Sequence, residues 1–475
     1  MNLKIPVIIQ GGMGAGVSNW SLARAVSRLG QLGVVAGTGL EQILSRRLQD
    51  GDLGGHVRRA LEHFPFPWIA RRILDAYFVP GGRPDSAPYR IPQMHTADAP
   101  LPVREICVAA NFVEVFLARE GHAGLVGINF LEKIQMPHLP SLYGAMLAGA
   151  AVVIVGAGIP LEFPAAMAAL AEHRPAAYTL AIAGPRADEP VRVAFDPADL
   201  LESGQTLPPL ARPAFLPIVS SSTLATMLAR RLPGELAGFV IEGPTAGGHS
   251  APPRGQMQLD PAGQPIYGSR DMPDLNVFRD VGLPFWLAGA YGSPEKLRQA
   301  VALGAAGIQV GTPFALCAES GLAPEFRRAL VARARAGTAR VFTDPQASPT
   351  GFPFKVAELA GTLSDAAVYA GRRRVCDLGF LREAYRKTDG TLGYRCAAEP
   401  EKAYLAKGGD PAATAGRKCL CNALVANIGL PQTLPDGAVE RPLVTLGDDF
   451  ENIGRFCPGD SADYAAADVL RILLD

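Results

Sequence analysis

Charge is scarce in this 475-residue chain: Asp, Glu, Lys and Arg make up 19% of it, and 45 acidic and 45 basic side chains cancel to a formal net charge of zero. A neutral chain has no global field to draw it to nucleic acid or to an anionic membrane. The dense basic run Arg372-Arg373-Arg374 is short and reads as a solvated face. Long apolar runs are missing too. The uncharged stretch from Ile134 to Leu161 is broken by Pro137, Pro140 and several glycines, and its apolar core AVVIVGAG has the length of a strand. That pattern fits a buried parallel strand and excludes a bilayer helix. The opening segment MNLKIPVIIQGG has too short an apolar run for a secretory signal and reads as a strand, so a cytoplasmic protein is expected.

Cysteine is sparse and odd in number, 7 in all, which argues against an oxidised framework. Cys107, Cys317 and Cys457 are isolated, whereas Cys376, Cys396, Cys419 and Cys421 fall together near the C-terminal end. Zinc or an iron–sulfur cluster needs about four thiolates. The spacing, however, follows no common C-x2-C pattern, and KCLCNAL reads as the start of a buried helix. The expectation is ordinary reduced thiols and no metal. Also absent is a G-x-G-x-x-G fingerprint, since GGMGAG spaces its glycines differently, and this counts against a doubly wound dinucleotide fold.

What is present is a recurrence of short apolar runs: PVIIQGG (6–12), LGVVAGTG (32–39), GLVGINFL (124–131), AVVIVGAG (151–158), FLPIVSS (215–221), GFVIEG (238–243), PFWLAGAYG (284–292) and AGIQVGT (306–312). Near-continuous apolar strands without strict alternation suit a parallel sheet covered by helices. Between them, SLARAVSRLG, TLATMLARRL and PEKLRQAVALG carry apolar residues at helical spacing and open near Ser, Thr or Pro. These β-α units predict a (β/α)8 barrel over residues 1–340, with insertions at about 40–123 and 174–213. Residues 341–475 read as a mostly helical, loop-rich extension covering the barrel end.

In such barrels the active site lies at the C-terminal ends of the strands. Here those ends concentrate glycines, including Gly11-Gly12, Gly156, Gly243, Gly247-Gly248, Gly289 and Gly311. Glycine permits close backbone approach to a ligand and leaves N–H groups free for phosphate. The last two strands, ending in LAGAYGSPEK and QVGTPF, hold the place where these barrels commonly bind phosphate.

The ordered set PVIIQGGMG, GINFLEK, IEGPTAGGH, PFWLAGAYGSPE and GAAGIQVGT over residues 5–355 resembles the nitronate monooxygenase (2-nitropropane dioxygenase) family, which includes FMN-dependent enoyl-[acyl carrier protein] reductases and polyketide trans-enoyl reductases. The resemblance implies an FMN-binding TIM barrel. It implies that Gly12 and Met13 lie against the flavin and that Asn129 bonds its pyrimidine edge. Glu242 stands where many members have glutamine, and Gly247 and Gly248 match glycines beside the flavin. Gly289 and Ala290 match a double glycine at the FMN phosphate, and Gln309, Val310, Gly311 and Thr312 match the Q-x-G-T stretch completing that site. Two departures are Glu242, which removes a donor, and Ala290, which adds a methyl.

His249 then falls over the flavin as the residue that moves a proton, a task suited to an unperturbed pKa of ~6.5. His122 and His138 are expected to be structural or exposed, although His138 lies at the correct barrel end, and Lys133 in the same loop could meet an anionic substrate. The implied activity is oxidation of nitronates or nitroalkanes with O2. The alternative is enoyl-thioester reduction with NAD(P)H as transient donor and an acyl carrier protein as possible partner. A barrel that only binds or scaffolds is a third class, against which the intact Q-x-G-T and G-G-H motifs count.

Overall fold

A computed structural model describes residues 3–184, 190–434, 436–459 and 461–475. Each of the apolar runs forms a strand of one parallel sheet: β1 (Ile8–Gln10), β2 (Gly33–Ala36), β3 (Val126–Leu131), β4 (Val152–Gly156), β5 (Ala214–Val219), β6 (Phe239–Glu242), β7 (Phe285–Ala288) and β8 (Gly307–Val310). Neighbours in sequence are neighbours in the sheet, and β8 pairs with β1 through Ile8↔Ile308. Leu32 N–H donates to the Ile8 carbonyl at 3.1 Å, and Gln10 N–H donates to the Leu32 carbonyl at 2.9 Å. Those two bonds join β1 to the entry of β2 and close the barrel. The fold is a (β/α)8 TIM barrel.

Ile9, Val34, Ile154, Leu216, Val240 and Trp286 fill the interior as one dry cluster. The Trp286 indole donates to the Pro6 carbonyl at 2.9 Å, so the large ring is buried without leaving its N–H unmet. The helices form where capping and periodicity agree. Trp20–Arg28 is capped by Asn19, Ser222–Arg231 by Ser221 and Pro294–Ala302 by Ser293, each side chain accepting from a backbone N–H three residues on. Asn19 rather than Ser21 caps the first of these helices.

Between β2 and β3, helices Leu40–Gln49, His56–Glu62, Pro67–Tyr77 and Leu101–Arg119 form a helical insertion. The apolar run at 176–184 is not a ninth barrel strand. Ala176–Thr179 pairs antiparallel with Arg192–Phe195, outside the main sheet. After residue 340 the extension holds strands as well as helices: β9 (Val341–Asp344) pairs with β10 (Phe354–Ala357), and Glu383–Arg386 pairs with Leu392–Arg395. No helix among the described residues is long and apolar enough to cross a membrane.

Close packing at the closing seam gives a stability test. A Cβ on Gly307 would lie 1.8 Å from the Val7 carbonyl oxygen, whereas one on Gly268 meets nothing within 4 Å. Gly307→Ala is expected to cost about 2–4 kcal/mol in urea unfolding. Gly268→Ala should be close to neutral. Equal midpoints for the two variants would contradict this seam.

Candidate functional site

The C-terminal strand ends open into a cavity of about 570 Å³, a volume suited to a small-molecule ligand. Gly12, Met13, Asn129, Glu242, Gly247, Gly248, His249, Gly289, Ala290, Gln309, Val310, Gly311 and Thr312 all line it. Residues scattered over 300 positions are therefore brought to one wall system.

Gly12 lies so close to Asn129 that a Cβ would sit 2.3 Å from the asparagine Cβ, so no side chain fits there. The Asn129 amide donates to the Ile154 carbonyl at 3.0 Å and to the Phe130 carbonyl at 3.2 Å. Its NH2 is thus committed to the barrel wall, leaving the carbonyl oxygen to accept from a ligand. Gln309 adds a buried Oε1 with no hydrogen-bond partner in the protein. An orphaned acceptor of that kind in a cavity wall signals a missing donor. The Val310 side chain packs into the core, so that residue offers the cavity only backbone.

At the far end, Gly289 has φ +98° and Ala290 φ +54°. Ala290 therefore keeps the left-handed turn of the expected double glycine despite its methyl group. Among the described residues the N–H groups of Ala290 and Thr312 find no acceptor, which leaves them for an anion. The Thr312 hydroxyl is already engaged, accepting from Gly447 N–H at 2.9 Å. Asp449 also lies here, against the Thr312 hydroxyl and the Gly292 N–H, and burial raises its pKa. The residues present fit the phosphate and ring of FMN.

The G-G-H loop is held by the extension rather than left free. Gly248 N–H donates to Thr445 Oγ1 at 2.7 Å, Lys355 N–H to the Gly248 carbonyl at 2.9 Å, and Ser250 N–H to the Pro353 carbonyl at 3.0 Å. A Cβ on Gly247 would lie 2.9 Å from the Leu446 backbone, so this glycine serves close packing on the extension. Gly248, at φ +80°, makes the left-handed turn that presents His249. The His249 ring packs edge-on against Phe354 with centroids 4.9 Å apart, and its Nε2 is 2.7 Å from Ser348 Oγ.

Burial sets the charges. The Glu242 carboxyl is pushed up to about 7 by desolvation, with Lys133 partly opposing. Lys133 is pushed down to about 7 by desolvation, against the pull of Glu132 and Glu242. Its Nζ has no hydrogen-bond partner and rests over the Phe352 ring at 3.0 Å from the centroid. His249 is lowered to about 3 by burial and then by Lys133, so its imidazole is neutral at physiological pH. The surface these groups retain faces the enclosed cavity rather than bulk water. Glu242 near neutrality carries a proton part of the time, which restores the donor that a glutamine would supply.

The other histidines are structural. His138 opens helix His138–Leu147, is buried outside this cavity, and is 3.0 Å from the Leu131 carbonyl through Nε2. His122 is 2.7 Å from the Ala118 carbonyl through Nε2 and accepts from Gly124 N–H at 3.1 Å, at the entry to β3. Ser348, Phe352, Phe354, Thr445 and Asp449 also belong to the site region, and no motif marked them. Their positions follow from how the extension folds back over the barrel.

No family model matches the chain, and no curated protein matches it. Among solved structures it is similar to FabK from Thermotoga maritima at 16% identity and TM-score 0.47, covering 99% of this chain and 91% of that one. It is similar to nitroalkane oxidase from Streptomyces ansochromogenes at 14% and 0.46, with 99% and 94% covered. A third is the enoyl reductase domain of MlnA from the macrolactin biosynthesis cluster of Bacillus amyloliquefaciens, at 12% and 0.46, again with 99% and 94% covered. Likeness at this level leaves fold and function to be argued from the chain's own strands and side chains.

Proposed function

We propose that this protein is an FMN-dependent oxidoreductase working at the mouth of its barrel. The observation that carries the reading is the convergence of one cavity's unmet groups: the orphaned Gln309 Oε1, the unpaired N–H groups of Ala290 and Thr312, and the glycine-only approach at Gly12. FMN, when bound, supplies hydride and electron transfer. Asn129 and Gln309 would hold its ring by their acceptor atoms, and the turns at Gly289-Ala290 and Gly311-Thr312 would hold its phosphate.

Proton handling falls to Glu242, with His249 and Lys133 beside it to position and polarise the substrate. A group whose pKa lies near working pH is the effective acid or base, and Glu242 meets that condition. His249, neutral and fixed between Ser348 and Phe354, orients substrate by hydrogen bonding. Lys133 offers a buried positive charge to an anionic substrate or to a developing enolate oxygen.

Of the two substrate classes, a nitronate and an enoyl thioester, the cavity favours the second. Its lining includes Phe352, Phe354, Phe380, Leu381, Leu420 and Leu424, apolar surface that supports an acyl chain as ligand. An acyl carrier protein could deliver such a substrate. The purified protein is expected to be yellow, to be bleached anaerobically by NADH or NADPH, and to be reoxidised by crotonyl thioester. Bleaching by a nitronate alone would assign the nitronate reaction instead. Colourless protein that takes up no FMN would overturn the flavin reading.

A further inference from the structure

Cys376, Cys396, Cys419 and Cys421 come from three separate segments: the loop after helix Ala366–Gly371, the end of strand Leu392–Arg395, and the cap and first turn of helix Leu420–Ala426. The fold packs all of them into a single cluster with Ala398, and all are free thiols. Spacing in sequence gives no hint of this, because the gaps between segments are set by a hairpin and a loop. We propose that these residues form a four-thiolate metal site, and that it holds an iron–sulfur cluster.

Apolar packing alone does not account for the surroundings. The Arg372 guanidinium lies beside Cys419, with Nε paired to Glu440 at 2.6 Å and Nη2 buried without a partner. Arg374, two residues before Cys376, keeps a buried Nη1 without a partner as well. Asn422 Nδ2, which donates to Asp377 at 2.6 Å and is therefore met, also lies 3.7 Å from Cys419 Sγ. Burying unmet donors around neutral sulfur is costly, whereas a metal centre carrying several thiolates has net negative charge for them to meet.

The spread of the ligands selects the kind of centre. Thiolates on one zinc ion, with Zn–S of about 2.3 Å, stand roughly 3.8 Å apart. Among the described residues the set of three metal-ligating side chains whose ligand atoms all lie within 4.8 Å of one another is Glu41, His95 and Cys107, and it includes none of these cysteines. No three of the four sulfurs meet that limit, so they are not gathered tightly enough for a single zinc ion. Cys421 also lines the main cavity, so the centre would form part of its wall. The inference stands apart from the flavin reading.

The test is iron, zinc and acid-labile sulfide analysis of the full chain, purified anaerobically without an affinity tag and again after anaerobic reconstitution with ferrous iron and sulfide. About four irons and four sulfides per chain are expected, as for a four-cysteine cubane. Electron paramagnetic resonance after dithionite should show the reduced cluster. Cys376→Ser and Cys421→Ser should lower the iron content severalfold, whereas Cys457→Ser, outside the group, should not. One zinc per chain without sulfide would keep the ligand set and overturn the iron–sulfur assignment. Absence of both metals after reconstitution would overturn the site, whether or not the variants fold.

Discussion

Replacing His249 with alanine is expected to slow turnover by roughly 10²–10⁴ while FMN stays bound, the loss usual for a positioned proton-handling or polarising group. The groups proposed to hold the phosphate follow the ends of β7 and β8, away from the loop that carries the imidazole. This loop residue is not free, however. It loses a 2.7 Å hydrogen bond to Ser348 and an edge contact with Phe354, so the variant should also be destabilised by about 1–3 kcal/mol. His249→Gln, which can keep a bond to Ser348, should recover most of that stability and little of the rate. The pH profile separates the roles. His249 is neutral above about pH 3, so it contributes no limb near neutrality. A limb near 7 should come from Glu242, survive in His249→Ala, and vanish in Glu242→Gln. Lys133→Met removes a charge that holds Glu242 down, so the limb should move to higher pH. Full activity in His249→Ala would remove the imidazole from the reaction.

Gly311→Asp is expected to give folded protein that has lost its flavin. The site tolerates the atoms, because a Cβ there meets only the Met13 sulfur at 3.7 Å and the backbone φ of −108° is ordinary. What it does not tolerate is the charge. A carboxylate about 4 Å from a phosphate at an effective dielectric of 20 opposes binding by about 4 kcal/mol per unit charge, roughly a thousandfold in Kd. Asp449 already lies at that end, so a second acid cannot be relieved by shifting toward it. Gly311→Ala should retain the cofactor. Unchanged flavin content in the aspartate variant, measured by absorbance and by dissociation in dilution, would place the phosphate elsewhere.

The barrel was legible because its strands are short, continuously apolar and separated by periodic, capped helices. Such patterns are local, and each of the runs became the strand expected of it. The strand-end glycines were legible for a similar reason: backbone freedom and close approach are properties of one residue. Gly12 shows the close approach, and Gly289, at φ +98°, shows both. The run at 176–184 falls in the expected insertion, and its first part pairs in a small hairpin outside the barrel.

The amino-acid sequence by itself determined the parallel strands and the glycine-rich strand ends that line the cavity. Only the tertiary structure decided the state of the residues there. Glu242 and Lys133 lie more than 100 positions apart, and their pKa values near 7 arise from shared burial that no local pattern encodes. Gly247 and His249 are fixed by backbone and side chains some 100 to 200 positions downstream, at Ser348, Phe354, Thr445 and Leu446. The four cysteines likewise meet only after a hairpin and a helix fold together. Electrostatic shifts and ligand sets depend on distances through space, and those are set by packing among segments that the linear order keeps apart.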